Sequence, residues 1–243
     1  MKEKIYLSVV VPAYNEEKLI KSTLIEIENF LFAQIYNYEI VVVDDGSKDK
    51  TFSIAESSQS DFKNLTVIRN DKNRGKGYSV KKGMLSAKGR FRLFMDADNS
   101  TSIDQFANFI PFLEDGCDIA IGSRALKNSK IKKHQSFRKE LFGNIGNKLV
   151  RLFAVSKISD TQCGFKCFSS ESAQNIFPKL TIDRWGFDIE ILAIADQLGY
   201  KIKTVPVIWE NREKTRVRNR DYLFTLKELL KIKMNLLTKK YDK

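Results

Sequence analysis

The sequence predicts an α/β fold with a mainly parallel sheet and helices on both faces. Short apolar runs rich in β-branched residues alternate with segments of helical periodicity through the first half of the chain. Two of these runs, EIVVVDDGS and FRLFMDADN, end in acidic clusters. No linker rich in Pro, Gly or Ser separates the two halves, so we treat them as parts of one domain.

The first half contains five predicted strands, each but the last followed by a predicted helix. The strands are YLSVVV, EIVVV, LTVIR, FRLFM and DIAIG. The helices cover about residues 15–34, a segment from about 49, 76–88 and 103–113. Because open α/β sheets bind ligands at the carboxyl ends of their strands, the acidic clusters mark the expected site.

The second half adds elements of both kinds. In chain order these are an amphipathic helix over about 137–154, the strand GFKCF, the apolar helix FDIEILAIADQLG, the strand KIKTVPVIW and a basic helix over about 222–237. We divide the chain into a domain of residues 1–220, with halves 1–100 and 101–220, and a basic amphipathic C-terminal helix of residues 221–243.

The composition is that of an ordinary globular protein. Of 243 residues, 42% are hydrophobic and 30% charged, with only 4 Pro and 12 Gly, which excludes collagen-like, low-complexity and disordered chains. Three cysteines argue against a disulfide framework and for a reducing compartment. The first apolar stretch is too short for a signal peptide, and no stretch has the length of a membrane span. We therefore expect a cytosolic protein, at most peripheral on a membrane.

The formal net charge is +12, and residues 201–243 carry +8 of it. Such a segment suits nucleic acid, an anionic membrane or a phosphorylated ligand, and charge alone does not choose among them. The helix over about 222–237 has apolar residues at helical spacing with lysines between them. It either docks on the domain with its lysines in water or lies in a membrane interface.

Asp96 and Asp98 form the first candidate site. Their spacing in an extended segment turns both carboxylates to one side of the chain, where they can share a hard divalent cation. The alternative is a pair of acidic residues in a turn after the strand.

A second cluster, Asp44 and Asp45, follows the second predicted strand. Its carboxylates could accept hydrogen bonds from a ribose or base, and the alternative is that the cluster caps the next helix. The segment NRGKG, which contains Lys76, offers backbone amides and cations to a diphosphate. Val80 stands where a dinucleotide fingerprint requires its third small residue, so we reject that fingerprint.

Together these motifs resemble a known family. VPAYNEE, VVVDDGSKDKT, NRGKG and MDAD are similar in order and spacing to the nucleotide-sugar half of glycosyltransferase family 2, whose members have the GT-A fold. IGSR, SFRKELFGN, SDTQCGFKCF, DRWGFDIEILAIA and VPVIW resemble its dolichyl-phosphate glucosyltransferase branch, one of the polyprenyl-phosphate glycosyltransferases. The resemblance covers about residues 5–235.

The resemblance implies a donor site and a metal. Asp96 and Asp98 would flank the diphosphate and hold Mg²⁺ or Mn²⁺, with Asp98 as the main ligand. Mannose synthases carry Gln where this chain has Ser100, which favours glucosyl transfer and puts GDP-mannose in doubt. The residues expected to line the nucleotide-sugar pocket are Pro12, Ala13, Tyr14, Glu16, Asp44 or Asp45, Lys76, Asp96 and Ala97.

The resemblance also implies an acceptor side. Arg124 and Arg138 are expected to grip an acceptor phosphate, because the guanidinium fork suits bidentate contacts. Lys166 would face the phosphate, and Trp185 would stack on a sugar or else anchor its loop. Asp188 is a candidate base for a hydroxyl acceptor, with a helix N-terminal carboxylate as the alternative.

The function implied is inverting, metal-dependent transfer of a hexose, with glucose from UDP-glucose as the leading donor, to a polyprenyl or dolichyl phosphate at the cytosolic face of a membrane. One alternative is the same fold acting on a hydroxyl acceptor in polysaccharide or glycan synthesis. A more distant one is a nucleic-acid-binding module, which the charge suggests but no reader motif supports.

Overall fold

The computed structural model describes residues 4–62, 64–131, 158–210, 212 and 219–242, with only the backbone described for 219–223. The predicted helix over 137–154, and with it Arg138, lies outside the described residues. No helix in the described part of the chain is long and apolar enough to cross a membrane.

A seven-stranded sheet forms the centre of the protein. Its strands are β1 Leu7–Ala13, β2 Tyr38–Asp44, β3 Leu65–Arg69, β4 Phe91–Met95, β5 Ile119–Ser123, β7 Phe165–Ser169 and β8 Ile202–Pro206. They lie in the order β3-β2-β1-β4-β7-β5-β8, in which β7 runs antiparallel to both of its neighbours and the other pairings are parallel. The remaining two, β6 Lys130–Ile131 and β9 Ile208–Trp209, form a separate two-stranded sheet.

Helices cover both faces of the large sheet, as predicted. They are α1 Ile20–Phe32, α2 Thr51–Ser57, α3 Lys76–Ser86, α4 Ile110–Glu114, α5 Ser170–Ile176, α6 Phe187–Gln197 and α7 Asn219–Leu237. Alternate residues of β1 serve two separate cores, because successive side chains of a strand point to opposite faces. Val9 and Val11 join the cluster that includes α1, whereas Val10 joins the cluster that includes α3, α6 and α7.

Three predicted elements differ in extent. The helix expected over 103–113 is a 3₁₀ segment, Ile103–Asn108, followed by the short α4, which has a proline in its first turn. The first helix begins at Ile20 rather than near residue 15, where Asn15 has a φ of 54° that a helix does not allow. The last predicted strand divides into β8 and β9 around Val207.

The C-terminal helix α7 packs on α6 through one face. Leu229 and Ile232 are buried in the core. Beyond the helix, the buried Tyr241 donates its hydroxyl to Glu190 Oε1 of α6 at 2.7 Å. Glu190 also accepts from the backbone N–H of Thr181 and of Ile182, each at 2.9 Å, so one carboxylate joins α6, its preceding loop and the C-terminal segment.

Candidate active site

The candidate site lies at the carboxyl ends of β1, β2 and β4. Ala13 at the end of β1 pairs with Asp44 at the end of β2, and Asp96 directly follows β4. The strands that carry the acidic clusters are neighbours of the same central strand, since β2 and β4 both pair with β1. The expectation that these clusters share one edge of the sheet is therefore confirmed.

Asp44 and Asp45 have different surroundings, although both are buried. Asp45 accepts hydrogen bonds from Asn70 Nδ2 at 2.8 Å, Arg74 N at 2.9 Å and Gly75 N at 2.8 Å, so it fixes the loop before α3. Asp44 Oδ2 lies 3.3 Å from Arg69 Nε, while its Oδ1 is buried and finds no hydrogen-bond partner among the described residues. Of the two, Asp44 is the one with an acceptor left for a ligand.

The loop after β1 is held in place by the loop after β2. Asn15 N donates to Ser47 Oγ at 2.9 Å, and Glu16 N donates to Thr51 Oγ1 at 2.6 Å. These bonds place the predicted pocket residues at the edge of the sheet: Pro12 and Ala13 are buried, and Tyr14 and Glu16 are half-buried.

Asp96 lies against the backbone of Gly164, the residue before β7, and is paired with a lysine. Lys76 Nζ is 2.5 Å from Asp96 Oδ1. A Cβ atom on Gly164 would come within 2.1 Å of Asp96 Oδ2, so only glycine allows the carboxylate to lie there. The backbone N–H of Asp96 also donates to the carbonyl of Gly164 at 3.2 Å.

Asp98 shares the loop after β4, where residues 97–98 form a turn and Asn99 N donates to the carbonyl of Asp96 at 3.1 Å. The extended segment predicted for Asp96 and Asp98 is therefore wrong, and the alternative of a turn is confirmed.

The Oδ1 atom of Asp98 accepts from Ser100 N at 2.9 Å. Burial raises the pKa of Asp98, and the nearby Asp96 carboxylate raises it further. α1 supports this loop, because Thr23 Oγ1 donates to the carbonyl of Ala97 at 2.8 Å. The two carboxylates thus form a negatively charged pair.

These residues fit a divalent cation of the Mg²⁺ or Mn²⁺ type. Such ions accept carboxylate oxygens and commonly take one or two from the protein, with water and substrate phosphates as the other ligands. Within residues 4–62, 64–131, 158–210 and the C-terminal helix, no group of three or more His, Cys, Asp or Glu side chains is arranged to hold a metal. Asp96 and Asp98 therefore suit a metal that is shared with a diphosphate rather than an all-protein site.

The segment 182–187 packs closely on the start of α3. A Cβ on Gly75 would lie 2.3 Å from the carbonyl oxygen of Asp183, and Gly75 itself has a φ of 111°. This contact brings the half-buried Trp185 ring centre to 5.9 Å from Lys76 Nζ. Burial acts to lower the pKa of Lys76, but the surrounding carboxylates, with Asp96 first among them, outweigh it and the pKa is raised. Lys76 therefore stays positively charged beside the acidic pair.

Lys166 and Asp188 form a buried ion pair. The Lys166 side chain is fully buried, and its Nζ donates to Asp188 Oδ1 and, at 2.6 Å, to the carbonyl of Cys163. In this structure the ammonium group faces Asp188 rather than the cleft, which does not favour the predicted contact of Lys166 with an acceptor. The two side chains are in contact although 21 residues lie between them in the sequence. No sequence pattern therefore indicated this pair.

Arg124 is also bound by a carboxylate. Its Nε and Nη2 donate to the two oxygens of Asp160, each at 2.8 Å, and its backbone N–H donates to Asp160 Oδ2 at 2.8 Å. This pairing raises the pKa of Arg124, although burial acts in the opposite direction. Asp160 thus occupies the edge of the guanidinium formed by Nε and Nη2. The predicted contact of Arg124 with an acceptor phosphate would have to use the remaining N–H groups.

A family model described as Glycosyl transferase family 2 matches residues 8–177, and the chain belongs to that family. This confirms the family that the motifs indicated.

Within the family, the chain is similar to proteins named dolichyl-phosphate beta-glucosyltransferase. It is 42% identical to that of Drosophila melanogaster over 219 residues, which cover 84% of this chain and 66% of the relative. It is 37% identical to the protein of Dictyostelium discoideum, in a match that covers 85% of this chain and 67% of the relative. For the Homo sapiens protein the identity is 36%, with 96% and 76% covered. The chain thus spans about two thirds to three quarters of the length of these relatives.

Solved structures confirm the GT-A fold. Glucosyl-3-phosphoglycerate synthase from Mycobacterium tuberculosis, in complex with Mn²⁺, UDP and glucosyl-3-phosphoglycerate, matches with a TM-score of 0.67 at 21% identity, covering 94% of this chain and 80% of that one. A mannosyltransferase from Pyrobaculum calidifontis, in complex with GDP-Man and Mn²⁺, matches with a TM-score of 0.58 at 22% identity, covering 88% and 59%.

The Gly164→Ala variant tests whether Gly164 fixes the position of the Asp96 carboxylate. The added methyl group displaces the carboxylate, so we expect glycosyl transfer to fall by about tenfold or more, as misplacement of a reacting group by about an ångström does. Gly116→Ala is the matched control, because Gly116 has a φ of 82° with nothing within 4 Å. It should lose roughly 1–2 kcal/mol of stability and keep its activity. Full activity of Gly164→Ala would contradict this role.

The Asp98→Asn variant tests the acidic pair without an activity assay. Folding raises the pKa of Asp98, so its charged form destabilises the folded protein, and stability falls as pH rises above the ordinary carboxyl pKa. In EDTA the variant should have the higher melting temperature at about pH 7, with a smaller difference near about pH 4. With UDP present, Mn²⁺ should raise the melting temperature of the wild type more than that of the variant. Calorimetry measures both, and equal responses to Mn²⁺ would contradict the metal role.

Proposed function

We propose that this chain transfers glucose from UDP-glucose to a polyprenyl phosphate, with inversion at the anomeric carbon and with Mg²⁺ or Mn²⁺. The observation that carries the proposal is the pair Asp96 and Asp98 at the end of β4, with Lys76 Nζ 2.5 Å from Asp96. The relatives named dolichyl-phosphate beta-glucosyltransferase support the acceptor class. The synthase solved with UDP and Mn²⁺ supports the donor class.

The nucleoside is proposed to bind between the loops after β1 and β2. Asp44 Oδ1 is a buried acceptor that lacks a partner among the described residues, so it suits an N–H of uracil or a ribose hydroxyl. Asp45 acts indirectly in this proposal, since its hydrogen bonds hold the loop that carries Lys76. Tyr14 and Glu16 line the remaining edge.

The chemical step develops negative charge on the leaving UDP. A divalent cation, when bound, supplies Lewis-acid stabilisation of that charge. Asp98, together with Asp96, would hold this cation. Lys76 adds a fixed positive charge on the same side, and its raised pKa keeps it protonated at neutral pH.

The acceptor phosphate is proposed to attack without a general base. A phosphate monoester is anionic near neutral pH, so its oxygen is already a nucleophile. Arg124, held by Asp160, would contribute positive charge beside it, and Arg138 would grip it directly. Trp185, close to Lys76, would stack on the sugar or anchor its loop.

The buried pair of Lys166 and Asp188 favours this acceptor over a hydroxyl group. A hydroxyl needs a base, and Asp188 is the predicted one. Its side chain is buried and its Oδ1 is occupied by Lys166 Nζ, so it is poorly placed to reach a hydroxyl, although burial raises the pKa of Asp188 by more than the Lys166 charge lowers it. Lys166 therefore acts on the site through Asp188 in this proposal.

We place the reaction at the cytosolic face of a membrane, and we propose no nucleic-acid partner.

The direct test measures UDP release from a panel of nucleotide sugars with Mn²⁺, with and without a polyprenyl phosphate. We expect release from UDP-glucose that depends on both the metal and the lipid phosphate, with a glucosylated lipid as product. Asp98→Ala should abolish it and Arg138→Ala should weaken the lipid acceptor more than the donor. The same rate with a polysaccharide hydroxyl acceptor and no lipid would overturn the proposal.

The Asp188→Asn variant separates the two acceptor chemistries. It keeps an oxygen for Lys166 but cannot accept a proton, so transfer to a phosphate should fall by less than about tenfold per folded molecule. Loss of a true general base costs about 10²–10⁴-fold. Circular dichroism measures the folded fraction, and a loss in that larger range would make Asp188 the base.

A further inference from the structure

The outward face of α7 carries a stripe of exposed apolar side chains. Leu226, Leu230, Met234 and Leu237 are 43%, 52%, 57% and 67% exposed, respectively. At 3.6 residues per turn, their spacing places them within about 80° of arc. Of the twelve exposed large hydrophobic side chains in the described part of the chain, five lie on this helix, counting Phe224. The stripe is therefore a concentrated patch rather than ordinary surface scatter.

The opposite face of α7 is already packed on the domain. Leu229 and Ile232 are 3% and 0% exposed. Glu228 Oε2 accepts from Gly186 N at 2.8 Å, and Lys231 Nζ donates to the carbonyl of Thr181 at 2.8 Å. The helix is thus anchored on its inner side, and the stripe is a second apolar surface that remains exposed on its outer side.

The charges beside the stripe have one sign. On a helical projection Lys227 borders it on one side and Lys233 on the other, and Lys239 and Lys240 follow its end. The one carboxylate among residues 224–240 is Glu228, on the inner face at Gly186. Two copies of this chain packed through the stripe would bring their lysines together, which costs energy. An anionic lipid surface instead matches both the apolar stripe and its lysines.

We propose that α7 docks on an anionic bilayer through Leu226, Leu230, Met234 and Leu237, flanked by Lys227 and Lys233. The inference deepens the proposed function, on which it rests for a lipid-borne acceptor. The inner face of the same helix holds Gly186, whose neighbour Trp185 lies 5.9 Å from Lys76 Nζ. Docking would thus anchor the helix that supports the acceptor side of the site.

Vesicle co-sedimentation tests the proposal on the full chain. The wild type should bind vesicles of phosphatidylcholine with phosphatidylglycerol and bind pure phosphatidylcholine weakly. Leu230→Glu with Met234→Glu should weaken binding by about tenfold or more. Lys227→Ala with Lys233→Ala should weaken it about fivefold per lysine and reduce its dependence on salt. Ile35→Glu is the matched control, since Ile35 is fully exposed after α1, and its binding should not change.

Three results would overturn the docking surface. These are absence of binding by the wild type, binding that persists in Leu230→Glu with Met234→Glu, and a wild-type dimer that this variant converts to a monomer in light scattering. Activity on a water-soluble, short-chain polyprenyl phosphate separates this outcome from failure of the proposed function. The stripe variant should keep that activity and lose activity on vesicle-borne acceptor, whereas a wrong function would leave the wild type inactive on both.

Discussion

The position of the Asp96 carboxylate is the constraint on which the rest of the site depends. It lies against the backbone of Gly164, the residue before β7, and is paired with Lys76 at the start of α3. Three elements distant in sequence therefore meet at one charged group. The antiparallel β7 matters for this reason, because its insertion beside β4 brings Gly164 to the end of that strand. In the proposed reaction, a carboxylate fixed in this way would offer the cation a ligand of defined position.

The site keeps its negative charges in place with lysines. Asp96 has Lys76, and Asp188 has the fully buried Lys166. A buried charge that lost its partner would be costly, so these pairs hold the geometry of the cleft as well as its charge. The large positive charge of the chain lies elsewhere, mostly in residues 201–243. The composition alone suggested an acidic partner, whereas the described cleft combines carboxylates with lysines paired to them.

Much of this arrangement was predictable from the sequence. Alternating strands and helices, and aspartates at strand ends, predicted the parallel sheet and the edge where Asp44, Asp96 and Asp98 lie. The distinction between Asp44 and Asp45 was not predictable, because neighbouring residues at a strand end point to opposite sides and their partners come from a different loop. The pairing of Lys166 with Asp188 was equally hidden, since it depends on how β7 packs against α6. Such contacts between distant segments leave no periodicity or spacing in a single sequence.

The central claim is that Asp96, Asp98 and Lys76 form a site for a diphosphate and a divalent cation together. Isothermal titration of UDP into the protein, in Mn²⁺ and in EDTA, tests it most directly, since it needs neither the sugar nor the acceptor. We expect UDP to bind about tenfold or more tightly in Mn²⁺, because the cation neutralises both the carboxylates and the diphosphate. Equal affinities in Mn²⁺ and in EDTA would contradict the claim.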